Sequence, residues 1–143
     1  MSRPEPLGRG VFKAWRTIAT RWADNDVYGH VNNTVYYQWF DSAVNGWLVD
    51  RQLLDIESGQ LIGLVVETRC SYFAPLAFPR PAEVGIALAN LGTSSVRYRV
   101  GVFDTGQART AAHGAFTHVY VDRATRRPVA LPEAWREALA ALG

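Results

Sequence analysis

Between Val35 and Leu48 the residues Val35, Tyr36, Trp39, Phe40, Ala43, Val44, Trp47 and Leu48 recur at three- and four-residue spacings. That period belongs to an amphipathic α-helix, and the stripe it draws is broad and strongly aromatic. A helix with such a face has to be covered over most of its length, so the rest of the chain must supply a large apolar surface. Asn32 or Asn33 is the natural N-cap, since a carboxamide oxygen there accepts a free first-turn N–H. Gly46 weakens the late helix slightly, and "ESGQ" at Glu57–Gln60 ends the region as a loop.

The covering surface is predicted to be a sheet. Ahead of the helix, Val11–Trp22 carries Phe12, Ala14, Ile18 and Trp22 on one parity, an imperfect strand pattern. After it come Leu61–Phe73 (Val66, Thr68, Cys70 and Tyr72 on one side), Ala82–Leu91, Val96–Phe103 and Arg109–Asp122. "APLAFPRP" at Ala74–Pro81 holds three prolines and cannot be ladder interior, so it is a connection. Pro132 opens a short terminal helix within residues 131–143. The expectation is a single α+β domain over residues 1–143, with one long central helix wrapped by a curved, five-stranded, mainly antiparallel sheet. The last four strands are expected to form a meander. Such a sheet leaves exposed edges, which call for a partner subunit.

Composition narrows the function. The chain is 48% hydrophobic and 20% charged, and its 14 Arg and single Lys leave a net charge of only +2. That balance is too even for a nucleic-acid partner, although scattered guanidinium forks suit a phosphorylated small molecule. The single cysteine, Cys70, excludes an intrachain disulfide and a cysteine-based metal site. No apolar run reaches the roughly 20 residues of a membrane span. "MSRPEPLGRG" lacks a signal-type hydrophobic region, so a soluble, cytoplasmic protein with a loose arm over residues 1–10 is expected.

The chemistry concentrates in "RWADNDVYGHVNN", Arg21–Asn33, directly ahead of the aromatic helix. Asp24, Asp26 and Gly29 imitate an EF-hand start, but Tyr28 and Val35 occupy positions that need oxygen ligands, so the calcium reading fails. A metal held by Asp24, Asp26 and His30 lacks a fourth ligand nearby. A purely structural loop of turns and a cap remains open. So does metal-free acyl transfer, in which a carboxylate beside a helix N-terminus works with unpaired N–H groups that stabilise an oxyanion.

"RWADNDVYGHVNNTVYYQWFDSA", Arg21–Ala43, closely resembles the signature of hotdog-fold acyl-CoA thioesterases of the 4-hydroxybenzoyl-CoA thioesterase type, with weaker support from "FAPLAFP" and "LGTSS". The resemblance implies that Asp26 is catalytic, either attacking the thioester carbonyl or activating water. It implies that the backbone N–H at Asn33 polarises that carbonyl. Tyr28, Gly29, His30 and Asn32 would orient the loop and substrate, while Ser94 and Ser95 would meet the pantetheine or phosphates. In the 4-hydroxybenzoyl-CoA enzyme, basic residues near the turn between the third and fourth strands help hold the nucleotide phosphates. Here that turn is "NLGTSSVRYR", Asn90–Arg99, with hydroxyl residues first, a departure that leaves the acyl-CoA class but favours an aliphatic acyl group. The implied substrate is an acyl-CoA, with an acyl carrier protein thioester as the other acyl donor, and neither metal nor cofactor is implied. The implied assembly is a homodimer or homotetramer. A non-catalytic acyl-CoA-binding protein and a hydratase or dehydratase on the same fold are the competing readings.

Overall fold

The long helix, α1, spans Asn33–Asp50, and all eight positions of the expected stripe are buried. Asn32 is its cap, with Oδ1 accepting the Thr34 N–H at 3.0 Å and the Thr34 hydroxyl at 2.9 Å. In the computed structural model, which describes residues 3–143, five strands make one sheet. They are β1 (Ala14–Ile18), β2 (Leu61–Tyr72), β3 (Ala82–Leu91), β4 (Ser95–Asp104) and β5 (Ala112–Asp122). The order is β1-β3-β4-β5-β2, and every pairing is antiparallel. This is the expected α+β hotdog arrangement.

One expectation is corrected. The meander covers only β3, β4 and β5, because β2 pairs with β5 at the far edge and not with β3. The connection Ala74–Pro81 therefore crosses from one side of the sheet to the other. Its three prolines suit such a path, since proline cannot donate to a hairpin ladder.

Val84, Ile86, Val96, Tyr98, Val100, Val102, Phe116 and Tyr120 point to the inner face, each no more than 2% exposed, and pack with the α1 stripe in one core. Burying each large apolar side chain contributes about 1.5–3 kcal/mol, so this helix–sheet interface is the main source of stability. A second helix, α2 (Glu133–Ala140), closes the end of the core where Trp135 meets Tyr120 edge-on at 5.0 Å.

Three local differences have physical causes. Phe12 does not share the inner face with Ala14, because a 3-10 turn at Arg9–Val11 precedes β1 and breaks the alternation. Its ring instead lies on the outer face over Gly85 and Gly101, edge-on to Phe103 at 5.8 Å. Val66 leaves the inward set because a β-bulge between Val65 and Glu67 adds an unpaired residue, and Val66 is 59% exposed. The last strand begins at Ala112 and not at Arg109, because the preceding residues pair with the N-terminal arm. Gly8 bridges Arg109, Leu7 accepts the Thr110 N–H at 2.9 Å, and Glu5 O bonds His113 Nε2 at 2.7 Å. The arm expected to be loose over residues 1–10 is thus tied to the sheet from Glu5 onward, and residues 1 and 2 lie outside the described part.

Candidate active site

The loop between β1 and α1 closes on itself like a short hairpin. Asn25 bridges Val31, the Asp26 N–H donates to His30 O at 2.8 Å, and the Asn32 N–H donates to Asp24 O at 2.8 Å. Gly29 turns the chain at φ 82°, a left-handed conformation that glycine takes without steric cost. The crossing connection then locks the loop from above. The Val31 N–H donates to Leu76 O at 2.8 Å, and the Phe78 N–H donates to Asn25 Oδ1 at 3.1 Å.

Within this frame the two carboxylates have different environments. Asp24 is 1% exposed and fully engaged: Oδ2 accepts the Arg21 N–H at 2.7 Å, and Oδ1 takes the Arg21 guanidinium at 2.7 and 2.9 Å. It is a structural carboxylate. Asp26 is half-buried, and its Oδ1 accepts only the Tyr28 N–H at 2.8 Å. Among the described residues Oδ2 has no partner, so Asp26 keeps a lone-pair face for a substrate or a water.

The helix N-terminus beside the loop carries the second expected element. Asn32 is committed through its side chain to Thr34, which leaves the Asn33 N–H without an acceptor among the described residues. The Asn33 carbonyl accepts the Tyr72 hydroxyl of β2 at 2.8 Å. Tyr72 also meets the Tyr36 ring edge-on at 5.0 Å, so β2 fixes the first turn of α1 from below. Sequence reasoning assigned no site role to Tyr72, although its parity with Thr68 and Cys70 pointed it toward the helix. Asn25 was likewise missed, and no local signal marks its partner 53 residues away.

The other expected residues divide. Tyr28, Gly29 and His30 are exposed around the Asp26 loop, and no side-chain bond holds His30 among the described residues. Ser94 and Ser95 stand elsewhere. The loop sits beside Leu76 and Phe78, at the end of the sheet where β3 starts and β4 ends, whereas Ser95 begins β4. Ten residues of strand separate the two places, about 30 Å. One chain therefore does not bring Ser94 or Ser95 to Asp26.

Exposed apolar side chains gather around the loop and the nearby edge strand: Trp22 at 81%, Val27 at 95%, Tyr28 at 83%, and Tyr37, Tyr72, Leu64, Val65 and Val66. His118 is a core residue, with Nδ1 2.9 Å from Tyr120 Oη, which lies 2.7 Å from Tyr98 Oη. Burial pushes its pKa down to about 4, so it is neutral at physiological pH. Among the described residues no three His, Cys, Asp or Glu side chains group as a metal ion would require, and no helix is long and apolar enough to cross a membrane.

An aromatic helix laid across a β1-β3-β4-β5-β2 sheet, with a locked Asp loop at its N-terminus, defines a protein of the hotdog class. A family model described as the thioesterase-like superfamily matches residues 20–139, and the chain belongs to that family. The PA5185 protein from Pseudomonas aeruginosa strain PAO1 is 51% identical, with 96% of each chain covered and a TM-score of 0.93. The PA2801 protein of Pseudomonas aeruginosa is 29% identical over 90% of this chain and 98% of its own, with a TM-score of 0.80. Slr0204, a 1,4-dihydroxy-2-naphthoyl-CoA thioesterase from Synechocystis, shares the fold at 20% identity, covering 88% of this chain and 94% of that one with a TM-score of 0.78. No curated protein shows significant similarity.

Proposed function

We propose that the protein hydrolyses an acyl-CoA thioester to the free acid and CoA, with Asp26 as the reacting carboxylate and the Asn33 N–H as the carbonyl-polarising donor. The observation that carries this reading is the contrast between the two aspartates. Asp24 is consumed by Arg21, while Asp26 is held by one N–H and open on its other oxygen. An ionised carboxylate in that position either adds to the thioester carbon, expelling the CoA thiolate and leaving a mixed anhydride for water to cleave, or takes a proton from the attacking water. The Asn33 N–H at the positive end of α1 stabilises the developing oxyanion on either route.

The reading includes a homodimer, or a pair of dimers, with β2 edges joined into a continuous sheet. The support is the free edge of β2 and the apolar rim running from that edge to the Asp26 loop. A second copy would also supply groups that one chain leaves distant, Ser94 and Ser95 among them. Several relatives named for aryl-CoA substrates share only the fold, whereas the hydroxyl-rich Gly92–Ser95 turn favours an aliphatic acyl group. A cytoplasmic setting, where acyl-CoA is made and used, belongs to the same reading. The test is release of free thiol from a panel of aliphatic and aromatic acyl-CoAs. Turnover of at least one that disappears in Asp26→Asn is expected, and a panel with no turnover in an intact, folded oligomer overturns the proposal.

A further inference from the structure

Most arginines in this chain are already engaged. Arg9 pairs with Glu83, Arg16 with Asp50, Arg21 with Asp24, Arg80 with Asp104 and Arg97 with Glu67. Arg123 and Arg136 donate to backbone carbonyls, and Arg51 lies over the Trp47 ring. Exposed arginines without an anionic or carbonyl partner among the described residues include Arg109, Arg126 and Arg127 in loops, and Arg69 and Arg99 on strands. The sheet register puts the last two together. Arg69 of β2 and Arg99 of β4 both pair with Ala115 of β5, one from each side.

Residues directly opposite in adjacent strands share a face, so both guanidinium groups rise from the outer surface, on the side away from α1. With strands about 4.8 Å apart, their Cα atoms stand about 10 Å apart across a residue whose side chain is one methyl group. Two long side chains can converge over that gap. Arg97, two residues before Arg99, stands on the same face, with Glu67 at the rather long distance of 3.8 Å. The N-terminal arm walls the other side of the groove, bringing Arg3 and Glu5 to it, and His113 in the floor is occupied by the Glu5 carbonyl. Glu5 and Glu67 are the carboxylates bordering this arginine set.

We propose that this outer-face groove binds a phosphorylated small molecule, with a pyrophosphate-type group held between Arg69 and Arg99 and a further oxygen reaching Arg97. Planar guanidinium forks match phosphate oxygens two at a time, and three cations spread over several ångströms fit a diphosphate better than a single carboxylate. The site is separate from the proposed catalytic centre. Tyr72, which touches Asn33, and its neighbour Ser71, which lines the groove, project from opposite faces of β2, and the two places meet only at the strand end, where both residues border a cleft with Arg3 and Glu5. A ligand held between Arg69 and Arg99 is, in this proposal, a second molecule and not the far end of a thioester held at the same chain's Asp26.

Inorganic pyrophosphate titrated calorimetrically into the full-length oligomer tests this at fixed moderate salt. Saturable binding is expected, weakened about tenfold or more in Arg69→Gln/Arg99→Gln. The charge-matched control Arg126→Gln/Arg127→Gln on the β5–α2 loop should bind within about twofold of the parent. Light scattering and circular dichroism verify that both variants keep fold and assembly. Parallel kinetics with an acyl-CoA and an acyl-pantetheine thioester identify the source of the phosphate. An unchanged KM for acyl-CoA in Arg69→Gln/Arg99→Gln supports a separate ligand. A KM raised for acyl-CoA but not for acyl-pantetheine assigns the groove to the substrate's own nucleotide and overturns the second-molecule proposal. Absence of saturable pyrophosphate binding, or equal weakening in the control, overturns the site itself.

Discussion

The Tyr72 hydroxyl donates to the Asn33 carbonyl oxygen at 2.8 Å, so an edge strand holds the first residue of α1. The bond fixes the Asn33–Thr34 peptide, one peptide beyond the Asn33 N–H that the proposed function sets against a developing oxyanion. Tyr72→Phe keeps the edge-on packing with Tyr36 and removes only the hydroxyl. A net hydrogen bond is worth about 0.5–1.5 kcal/mol, so kcat is expected to fall roughly two- to tenfold with KM nearly unchanged. A KM effect of the same size with unaltered kcat would show that Tyr72 serves binding instead.

Exchanging each aspartate for asparagine separates chemistry from architecture. Asp26→Asn should fold with an unaltered melting temperature and hydrolyse acyl-CoA at least about a hundredfold more slowly, the usual scale for losing a general base. Asp24→Asn breaks a buried carboxylate's contacts with Arg21. Because the Arg21 side chain is 66% exposed, the expected cost is about 1–3 kcal/mol of stability, with much of the activity surviving below the melting point. Thermal unfolding and initial rates measured on both variants check the assignment, which reverses if Asp24→Asn is the folded but inactive one.

Lysine at Leu64 or Val66 should break the proposed dimer. These exposed side chains stand on the edge strand β2, and in the proposed dimer a cation there would be desolvated against the partner strand. Light scattering at micromolar concentration should show monomers, with hydrolysis lost in parallel. A monomeric parent protein would remove the premise.

His118 sets an acid limb of stability. In the unfolded chain it protonates as pH falls through about 6.5, whereas burial beside Tyr98 and Tyr120 holds its folded pKa down to about 4. Between those values the unfolded state binds more protons, so stability falls as pH falls, by up to about 1.4 kcal/mol per pH unit and about 3 kcal/mol in all. Urea unfolding at about pH 7, 5.5 and 4.5 should show this slope, and His118→Gln should flatten it.

Two glycines should respond oppositely to alanine. At Gly114 the added methyl would strike the Arg69 backbone carbonyl, which cannot move without disrupting the β2–β5 ladder, so Gly114→Ala should cost several kcal/mol or prevent folding. At Gly46 the obstacle is the mobile end of Arg16, 2.5 Å away, and the helix gains up to about 1 kcal/mol from alanine, so Gly46→Ala should be neutral or stabilising. Melting temperatures of the pair decide it.

What could be read from the chain tracks the range of the forces involved. The α1 stripe, its Asn32 cap and the left-handed turn at Gly29 are local matters of periodicity and backbone freedom, and the Arg21–Asn33 motif carried the family resemblance without any structure. The placement of β2 beside β5 depends on pairings 40 or more residues apart, for which alternation holds no information. The Val66 bulge shifts parity inside a run that reads as regular, and the arm's bonds to Thr110 and His113 come from residues that resemble an unstructured leader. At the site, Asp24 and Asp26 look equivalent as letters. The family motif singled out Asp26, and the physical difference, a buried Asp24 held by Arg21 against a half-buried Asp26 held by one N–H, needs the structure.

The lock on the Asp26 loop also bears on when during synthesis the site can exist. Asn25 and Val31 wait for Phe78 and Leu76, and α1 waits for Tyr72, all supplied 39 or more residues later. A nascent chain that has emerged only as far as Asp50 carries every loop residue of the proposed chemistry and none of these clamps. At the usual elongation rate of about 5–20 residues per second, seconds pass before the crossing segment emerges, and β5, which anchors β2, comes later still. The arrangement proposed to react is therefore completed only after the crossing segment is made, so shorter nascent chains would be inert in the proposed hydrolysis.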